Sequence, residues 1–216
     1  MQRLTEIALE HSRAGVFTRS EVAAWVRGSP DAEAALVKRA LAAGEVVRIH
    51  RGLYCLGTRY RKRPIDSLAI AQRIMGPSYV SLEAALAFHG WLPEAVETVT
   101  SVCDARSRSF HTPIGPFRFS RVPQSQLFED VSRVPRPEGQ VAFIATPLKA
   151  LADYVALHRL DWTGIEPLVE SLRIAPQQLA EIEPERCRSL AMNYRSRRVR
   201  RFLEGLSREV YACRSH

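Results

Sequence analysis

The spacing of apolar residues in the first 57 positions predicts three short helices and then two strands. Apolar side chains recur every three or four positions in residues 3–11, in a segment that begins near Arg19, and in residues 30–43. Apolar and polar residues alternate over 45–49, and residues 53–56 form a second strand after a turn. Three helices followed by a hairpin predict a winged helix-turn-helix.

Local signals support the starts of the second and third helices and the hairpin turn. Thr18 and Glu21 have the spacing of a capping box, in which each side chain accepts a hydrogen bond from a backbone amide at the helix start. Ser29 before Pro30 predicts an N-cap followed by proline in the first turn. Gly52 supplies the backbone freedom that a tight turn requires.

A winged helix-turn-helix over residues 1–57 predicts DNA binding, because its third helix enters the major groove and its hairpin contacts the backbone or the minor groove. We expect seven side chains of this unit to contact DNA: Arg19, Ser20, Lys38, Arg39, Arg48, His50 and Arg51. In a basic linker over 58–64, Arg61, Lys62 and Arg63 either connect flexibly or contact phosphates. Winged helices also bind proteins, so a protein-interaction unit is the alternative.

Residues 65–183 alternate between helical and strand patterns, which predicts a mixed α/β unit. Four strands are expected, over residues 97–103, 109–112, 117–120 and 140–145. Three helices are expected, over residues 65–75, after Ser81 as N-cap, and after Thr146 with Pro147 in the first turn. The predicted fold class is therefore α+β: an N-terminal winged helix-turn-helix, a mixed α/β effector domain, and a helical basic segment over 184–216.

The predicted C-terminal segment is rich in arginine. One face of its helix is apolar and consists of Val199, Phe202, Leu203 and Leu206. The basic side chains of interest are Arg195, Arg197, Arg198, Arg200 and Arg201. Like charges this close repel one another unless an anion lies nearby, so we expect them to face nucleic acid or an acidic, toxin-related surface. A solvated helix that docks by its apolar face is the alternative.

The charge distribution predicts different tasks for the ends and the middle of the chain. The 216 residues carry a net charge of +8, with +6 in residues 1–63, −4 in residues 64–183 and +6 in residues 184–216. Only three of the 31 basic residues are lysines. Arginine forks match phosphates and guanine edges, so this composition is compatible with DNA as a partner.

The remaining composition indicates a globular protein without a membrane span. Hydrophobic residues make up 46% of the chain, and no apolar run approaches the roughly 20 residues that a membrane helix needs. The N-terminus lacks the apolar segment of a secretory signal. The four cysteines are widely separated, which predicts reduced thiols in the cytoplasm.

Candidate catalytic groups do not form a recognisable pattern. A metal-dependent nuclease would need clustered carboxylates, and those available are Glu83, Glu97, Asp104 and Asp153. None precedes a lysine on a strand, and Lys149 lies in a predicted helix. Cys103 near His111 is interpreted as a structural thiol, and His89 and His158 as residues at helix ends. We expect no catalytic residues, no metal and no cofactor.

Five segments occur in the order that characterises a known family. They are Phe17-Thr18-Arg19-Ser20-Glu21, Arg51-Gly52-Leu53-Tyr54, Tyr79-Val80-Ser81-Leu82-Glu83-Ala84-Ala85-Leu86, Val99-Thr100-Ser101-Val102 and Thr146-Pro147-Leu148-Lys149-Ala150-Leu151-Ala152-Asp153. Over residues 5–160 the chain resembles the AbiEi-like antitoxins and transcriptional regulators of bacterial type IV toxin–antitoxin systems.

This resemblance implies a winged helix that binds inverted repeats in its own promoter and represses transcription. It also implies a second domain that counteracts a nucleotidyltransferase-like toxin without forming a stable complex with it. A stand-alone repressor without a toxin is the first alternative, and a metal-dependent nuclease is the second.

Overall fold

Residues 1–57 form three helices that pack on one face of a three-stranded antiparallel sheet. The computed structural model describes residues 1–214, with all side chains except those of residues 168 and 211–214. The elements are α1 (Arg3–His11), β1 (Val16–Thr18), α2 (Arg19–Val26), α3 (Pro30–Ala42), β2 (Val46–His50) and β3 (Leu53–Leu56), with strand order β1-β3-β2. The three predicted helices and the hairpin are confirmed. Strand β1 was not predicted, because three residues are too few to show a period.

The predicted start signals operate as expected. The Thr18 hydroxyl accepts a hydrogen bond from the Glu21 amide (3.2 Å), and the Glu21 carboxylate accepts one from the Thr18 amide (2.5 Å). Ser29 caps α3 through the Ala32 amide, with Pro30 in the first turn. These contacts fix the residues at which α2 and α3 begin, and therefore help to determine how the two helices pack on the sheet.

The second part of the chain is built on a six-stranded mixed sheet. Its strands are β4 (Ser78–Val80), β5 (Val99–Cys103), β6 (Arg108–Thr112), β7 (Gly115–Arg121), β8 (Val131–Pro135) and β9 (Val141–Ala145), in the order β6-β7-β5-β4-β9-β8. Strand β5 runs parallel to β7, and β4 parallel to β9. The helices are α4 (Ser67–Ile74), α5 (Leu82–Phe88) and α6 (Pro147–His158).

Two expectations for this part were wrong. The sheet has six strands rather than four, because β4 is very short and the edge strand β8 is half-exposed without alternation. Ser81 occupies the position before α5, but its hydroxyl does not cap the helix. It donates instead to the Asp153 carboxylate (2.7 Å), a partner 72 residues away. Thr146 does cap α6, through the Lys149 amide.

Four further helices complete the described chain. They are α7 (Glu166–Leu172), α8 (Pro176–Ala180), α9 (Pro184–Asn193) and α10 (Arg197–Arg214). Helix α10 packs against α9 and α6 through the predicted apolar face, and Val199, Phe202, Leu203 and Leu206 are buried in the same core as the six-stranded sheet. No described helix is long and apolar enough to cross a membrane.

The two sheets share buried apolar surface. The helices α1–α3 cover one face of the first sheet, where Phe17 and Tyr54 lie. From the same sheet, Val16, Leu53 and Cys55 belong to the core of the second part. The predicted linker region contains a 3₁₀ turn at Thr58–Tyr60 followed by irregular chain with a bend at residues 62–63. The parts are therefore joined by packing as well as by the chain.

Candidate nucleic-acid interface

Three of the predicted DNA contacts border one shallow groove. Arg19 at the start of α2, Lys38 on α3 and Arg48 on β2 are all exposed, and they line a concavity of about 230 Å³ together with Tyr54 and Glu33. We call this concavity the α3 groove. Residues from two helices and one strand thus border one concavity with three cations, an arrangement that favours contact with phosphates.

Aromatic packing supports the position of Arg48. The Arg48 guanidinium lies over the ring of Tyr54, 5.8 Å from its centroid. Tyr54 is buried and stacks on Phe17, with ring centroids 6.0 Å apart. A guanidinium held on an aromatic face keeps its N–H donors at the ring edge free for a ligand.

A backbone contact joins the hairpin turn to the start of α2. The Arg19 amide donates a hydrogen bond to the Gly52 carbonyl oxygen (2.9 Å). Gly52 has a φ of +75°, the left-handed conformation that the sequence predicted for this turn. Ser20 and Arg51 flank this contact and are exposed. Arg19 and Ser20 of the helix start are therefore held next to Arg51 of the hairpin turn.

One acidic side chain lies among these cations. Glu33, in the first turn of α3, is 9% exposed and lines the α3 groove beside Arg19 and Lys38. Sequence reasoning did not single it out, because Ser29, Pro30 and an acidic first turn are already explained as start signals of a helix. Its negative charge opposes the approach of phosphates to the groove.

The other predicted contacts of residues 1–64 point in several directions. Arg39 is exposed on α3, and Lys62 and Arg63 are exposed after the 3₁₀ turn. His50 is half-buried, and its ring packs edge-on against Phe110 of β6 (centroids 4.9 Å apart). Arg61 is half-buried as well. The structure therefore places His50 against the second part of the chain, and Arg61 lines a different cavity from the α3 groove.

The C-terminal arginines form a separate basic surface on and before α10. Arg195, Arg197 and Arg201 are exposed. Arg198 forms an ion pair with Asp161 (2.8 Å), and the Nε of Arg200 donates to the Tyr194 carbonyl oxygen (2.7 Å). Two of the five side chains therefore have partners within the chain, which leaves three fully available to another molecule.

A buried polar cluster in the second part was not anticipated from the sequence. The Asp153 carboxylate accepts hydrogen bonds from the hydroxyls of Tyr79, Ser81 and Tyr194, each at 2.7 Å. The ammonium of Lys149 lies 3.7 Å from the same carboxylate, and both side chains are fully buried. The sequence did contain one signal for this cluster: Lys149 and Asp153 lie four positions apart on the face of an apolar helix that is expected to be buried.

Burial shifts the pKa values of Lys149, Tyr79 and Tyr194 in this cluster. Desolvation lowers the pKa of Lys149, and the Asp153 charge partly opposes this shift. Desolvation, followed by the charge of Asp153, raises the pKa values of Tyr79 and Tyr194 well above the ordinary tyrosine value. The carboxylate already has three hydroxyl donors and no exposed surface, so the cluster is suited to holding β4, α6 and the end of α9 together.

The four carboxylates considered for a nuclease do not gather in one site, although Glu83 and Glu97 border the same concavity. Glu97 and Asp104 are exposed, Asp153 is buried in the polar cluster, and Glu83 lies 3.9 Å from His158. Within residues 1–210, whose side chains are described with one exception, no group of three acidic, histidine or cysteine side chains is arranged to hold a metal ion. Burial raises the pKa of the Cys103 thiol, as expected of a structural cysteine.

Comparison with known proteins bears on the N-terminal part. Residues 5–57 match the sequence model of a family described as "Transcriptional regulator, AbiEi antitoxin". The matched segment extends from α1 to the residue after β3, so the predicted resemblance is confirmed over the elements that form the α3 groove. No curated protein gives a significant match to the chain.

Proposed function

We propose that this protein is a DNA-binding transcriptional repressor, an antitoxin that represses its own promoter. The observation that carries the proposal is the α3 groove, where Arg19, Lys38 and Arg48 converge within a segment similar to transcriptional regulators. In this proposal residues 1–57 act as a winged helix-turn-helix. Helix α3 enters the major groove, and the β2–β3 hairpin follows the adjacent backbone.

The proposed contacts divide into two classes. Lys38 and Arg39 lie on the exposed side of α3 and read base edges or nearby phosphates. Arg19, Ser20, Arg48 and Arg51 surround the hairpin and hold phosphates, which fixes the register of α3 on the duplex. The two-fold arrangement of inverted repeats would place two copies of this surface on one operator.

The second part of the chain is proposed to counteract a nucleotidyltransferase-like toxin, as in type IV systems, without a stable complex. Its support is the resemblance of the segments around Ser81 and Thr146 to antitoxins of this class. The exposed arginines Arg195, Arg197 and Arg201 are the surface proposed to meet the toxin or its nucleic-acid target. We propose no catalytic step for this protein.

A promoter-reporter assay tests the repressor, and a toxicity assay tests the antitoxin. The parent should lower expression from its own promoter, and the Lys38→Ala variant should relieve this repression. Co-expression with the product of the adjacent gene tests protection: rescue by the Lys38→Ala variant supports a separate antitoxin activity. Repression without any toxic neighbour would favour the stand-alone repressor. If the Lys38→Ala variant keeps both repression and protection, the proposed interface is contradicted.

A further inference from the structure

A cavity of about 650 Å³ lies where the two parts of the chain meet. The end of α1, the connecting residues 60–68 and the turn between β8 and β9 form its walls. We call it the junction cavity. Its volume falls within the roughly 300–1,000 Å³ that is typical of small-molecule sites. It lies apart from the residues of the α3 groove, none of which lines it.

The lining of the junction cavity is strongly basic. Its cations are Arg13, Arg61, Lys62, Arg63 and Arg136, and its carboxylates are Asp66 and Glu138. The ion pair between Arg136 and Asp66 (2.6 Å) neutralises one charge of each sign. Four cations then face one carboxylate. A cavity with this balance favours an anionic ligand.

Two polar atoms at the junction cavity lack partners. The Nε of Arg61 is buried and donates no hydrogen bond, and the Oε1 of Gln140 is buried and accepts none. The Nε2 of the same Gln140 amide donates to the Pro137 carbonyl oxygen (3.4 Å), which fixes the orientation of the amide. Both atoms are closed to solvent in the free protein, so a ligand reaches them only when the two side chains shift. Because unpaired buried polar atoms are unfavourable, a ligand with one acceptor and one donor would compensate that shift.

The cavity also has an apolar wall. Leu56, Ile65 and Leu68 contribute aliphatic surface, and the ring of Tyr60 lies beside them. A simple inorganic anion would leave this wall without a partner. A ligand that combines an anionic group, a flat apolar body and an N–H donor uses every feature of the lining.

We propose that the junction cavity binds a nucleotide. Its phosphate is held by Arg61, Lys62 and Arg63, its base lies against Tyr60 and the aliphatic wall, and an N–H of the base donates to Gln140. Because the site combines residues from both parts of the chain, the ligand stabilises their packing. Binding by itself does not depend on the proposed repressor function, so the two proposals can fail separately.

Isothermal titration calorimetry of the full-length protein tests this site. The probes are AMP, GMP, ATP and GTP, with adenosine, guanosine and inorganic phosphate as comparison ligands. We expect at least one nucleotide to bind at one site per chain, and to bind at least tenfold more tightly than its nucleoside or phosphate. Failure of all four nucleotides to bind below about 1 mM, or equal binding by phosphate alone, would overturn the proposal.

Variants locate the binding within the cavity. Arg61→Gln and Gln140→Met should each weaken the preferred nucleotide at least tenfold, whereas Arg133→Gln, an exposed arginine of β8, should leave it unchanged. Gln140→Met retains every charge, so it also separates nucleotide binding from any contact of the linker with DNA. Circular dichroism confirms that each variant is folded. Unchanged nucleotide affinity in both folded variants would contradict the assigned site.

Discussion

The backbone amide of Arg19 donates a 2.9 Å hydrogen bond to the carbonyl oxygen of Gly52. This bond joins the first residue of α2 to the turn of the β2–β3 hairpin, two segments that are separated by 33 positions. It makes the position of the hairpin depend on the position of the helices. A ligand that contacts both, as a DNA backbone would, meets a surface that is already arranged.

Substitution of Gly52 therefore tests the coupling between hairpin and helix. Gly52→Ala forces a side chain into a φ of +75° without a steric clash, so we expect a loss of about 1 kcal/mol in the free energy of unfolding. The strained turn should also weaken DNA binding, measured by fluorescence anisotropy with DNA from upstream of the gene. Gly90→Ala is the matched control, since Gly90 has a φ of +73° and equal space. Equal DNA affinity in both variants would refute the coupling.

Glu33 is expected to limit affinity at the α3 groove. Glu33 lines this groove together with the cations Arg19, Lys38 and Arg48. Glu33→Gln removes the negative charge with nearly the same shape, so DNA of any sequence should bind severalfold more tightly at low salt. The free energy of unfolding should fall by only about 0.3–1 kcal/mol, because a charge in the first turn of a helix is lost.

The control for this charge effect is Glu170→Gln, an exposed carboxylate of α7. It makes the same change in net charge on the second part of the chain. Anisotropy titrations of both variants at two salt concentrations separate a local effect from a general one. Equal gains in the two variants, or weaker binding by Glu33→Gln, would show that Glu33 does not face the DNA.

The buried pair Lys149–Asp153 is expected to be a major determinant of stability. Asp153→Asn leaves the buried Lys149 ammonium without its counter-charge. Lys149→Met leaves the buried Asp153 carboxylate without its counter-charge. Each change should lower the free energy of unfolding by about 3–5 kcal/mol in urea denaturation. Because the two groups interact, the double variant should lose clearly less than the sum of the single losses.

An exposed ion pair provides the comparison. Arg173 and Glu94 lie 2.6 Å apart, and each side chain is 71% exposed. Arg173→Gln should change the free energy of unfolding by at most about 1 kcal/mol. Losses of similar size for Arg173→Gln and Asp153→Asn would mean that the buried polar cluster contributes little to the fold.

The continuous core predicts that both parts of the chain unfold together. Val16, Leu53 and Cys55 of the first sheet are buried in the core of the second part, and Arg73 of α4 forms an ion pair with Glu21 of α2 (2.9 Å). Differential scanning calorimetry should show one transition whose calorimetric and van't Hoff enthalpies agree. Two resolved transitions would instead support independent units separated at residues 58–64.

The sequence was sufficient where local signals determine structure. The Thr18–Glu21 capping box, the Ser29-Pro30 start and the glycine turn at Gly52 all involve residues within three positions of one another, and all were predicted. Strand β4 was missed because its three residues are too few to show a period, and its pairing partners β5 and β9 are distant in the sequence. Ser81 was misassigned for the same reason: its hydroxyl has a better partner in Asp153 than the adjacent helix offers.

In the candidate site too, some features could be predicted from the local sequence and others depend on distant contacts. Charge and helix periodicity were enough to select Lys38, and charge in the predicted hairpin was enough to select Arg48; both lie on exposed surfaces beside the same groove. They were not enough to show that His50 turns toward Phe110, or that Glu33 lies among the cations. Those positions depend on how α3 and the hairpin pack in three dimensions, and a one-dimensional pattern does not contain that information.

The salt dependence of DNA binding tests the central claim most directly. A triple variant, Arg19→Gln with Lys38→Gln and Arg48→Gln, removes three cations from the α3 groove. The control triple variant, Arg133→Gln with Arg159→Gln and Arg173→Gln, removes three exposed cations from the second part of the chain. Anisotropy titrations from 50 to 200 mM salt would give, for each protein, the slope of log affinity against log salt.

If the α3 groove binds the DNA backbone, its triple variant should bind more weakly and its salt slope should be smaller by about two to three. The control triple variant should keep the slope of the parent, although its net charge is the same as that of the groove variant. Equal slopes for the two triple variants would contradict the proposed interface.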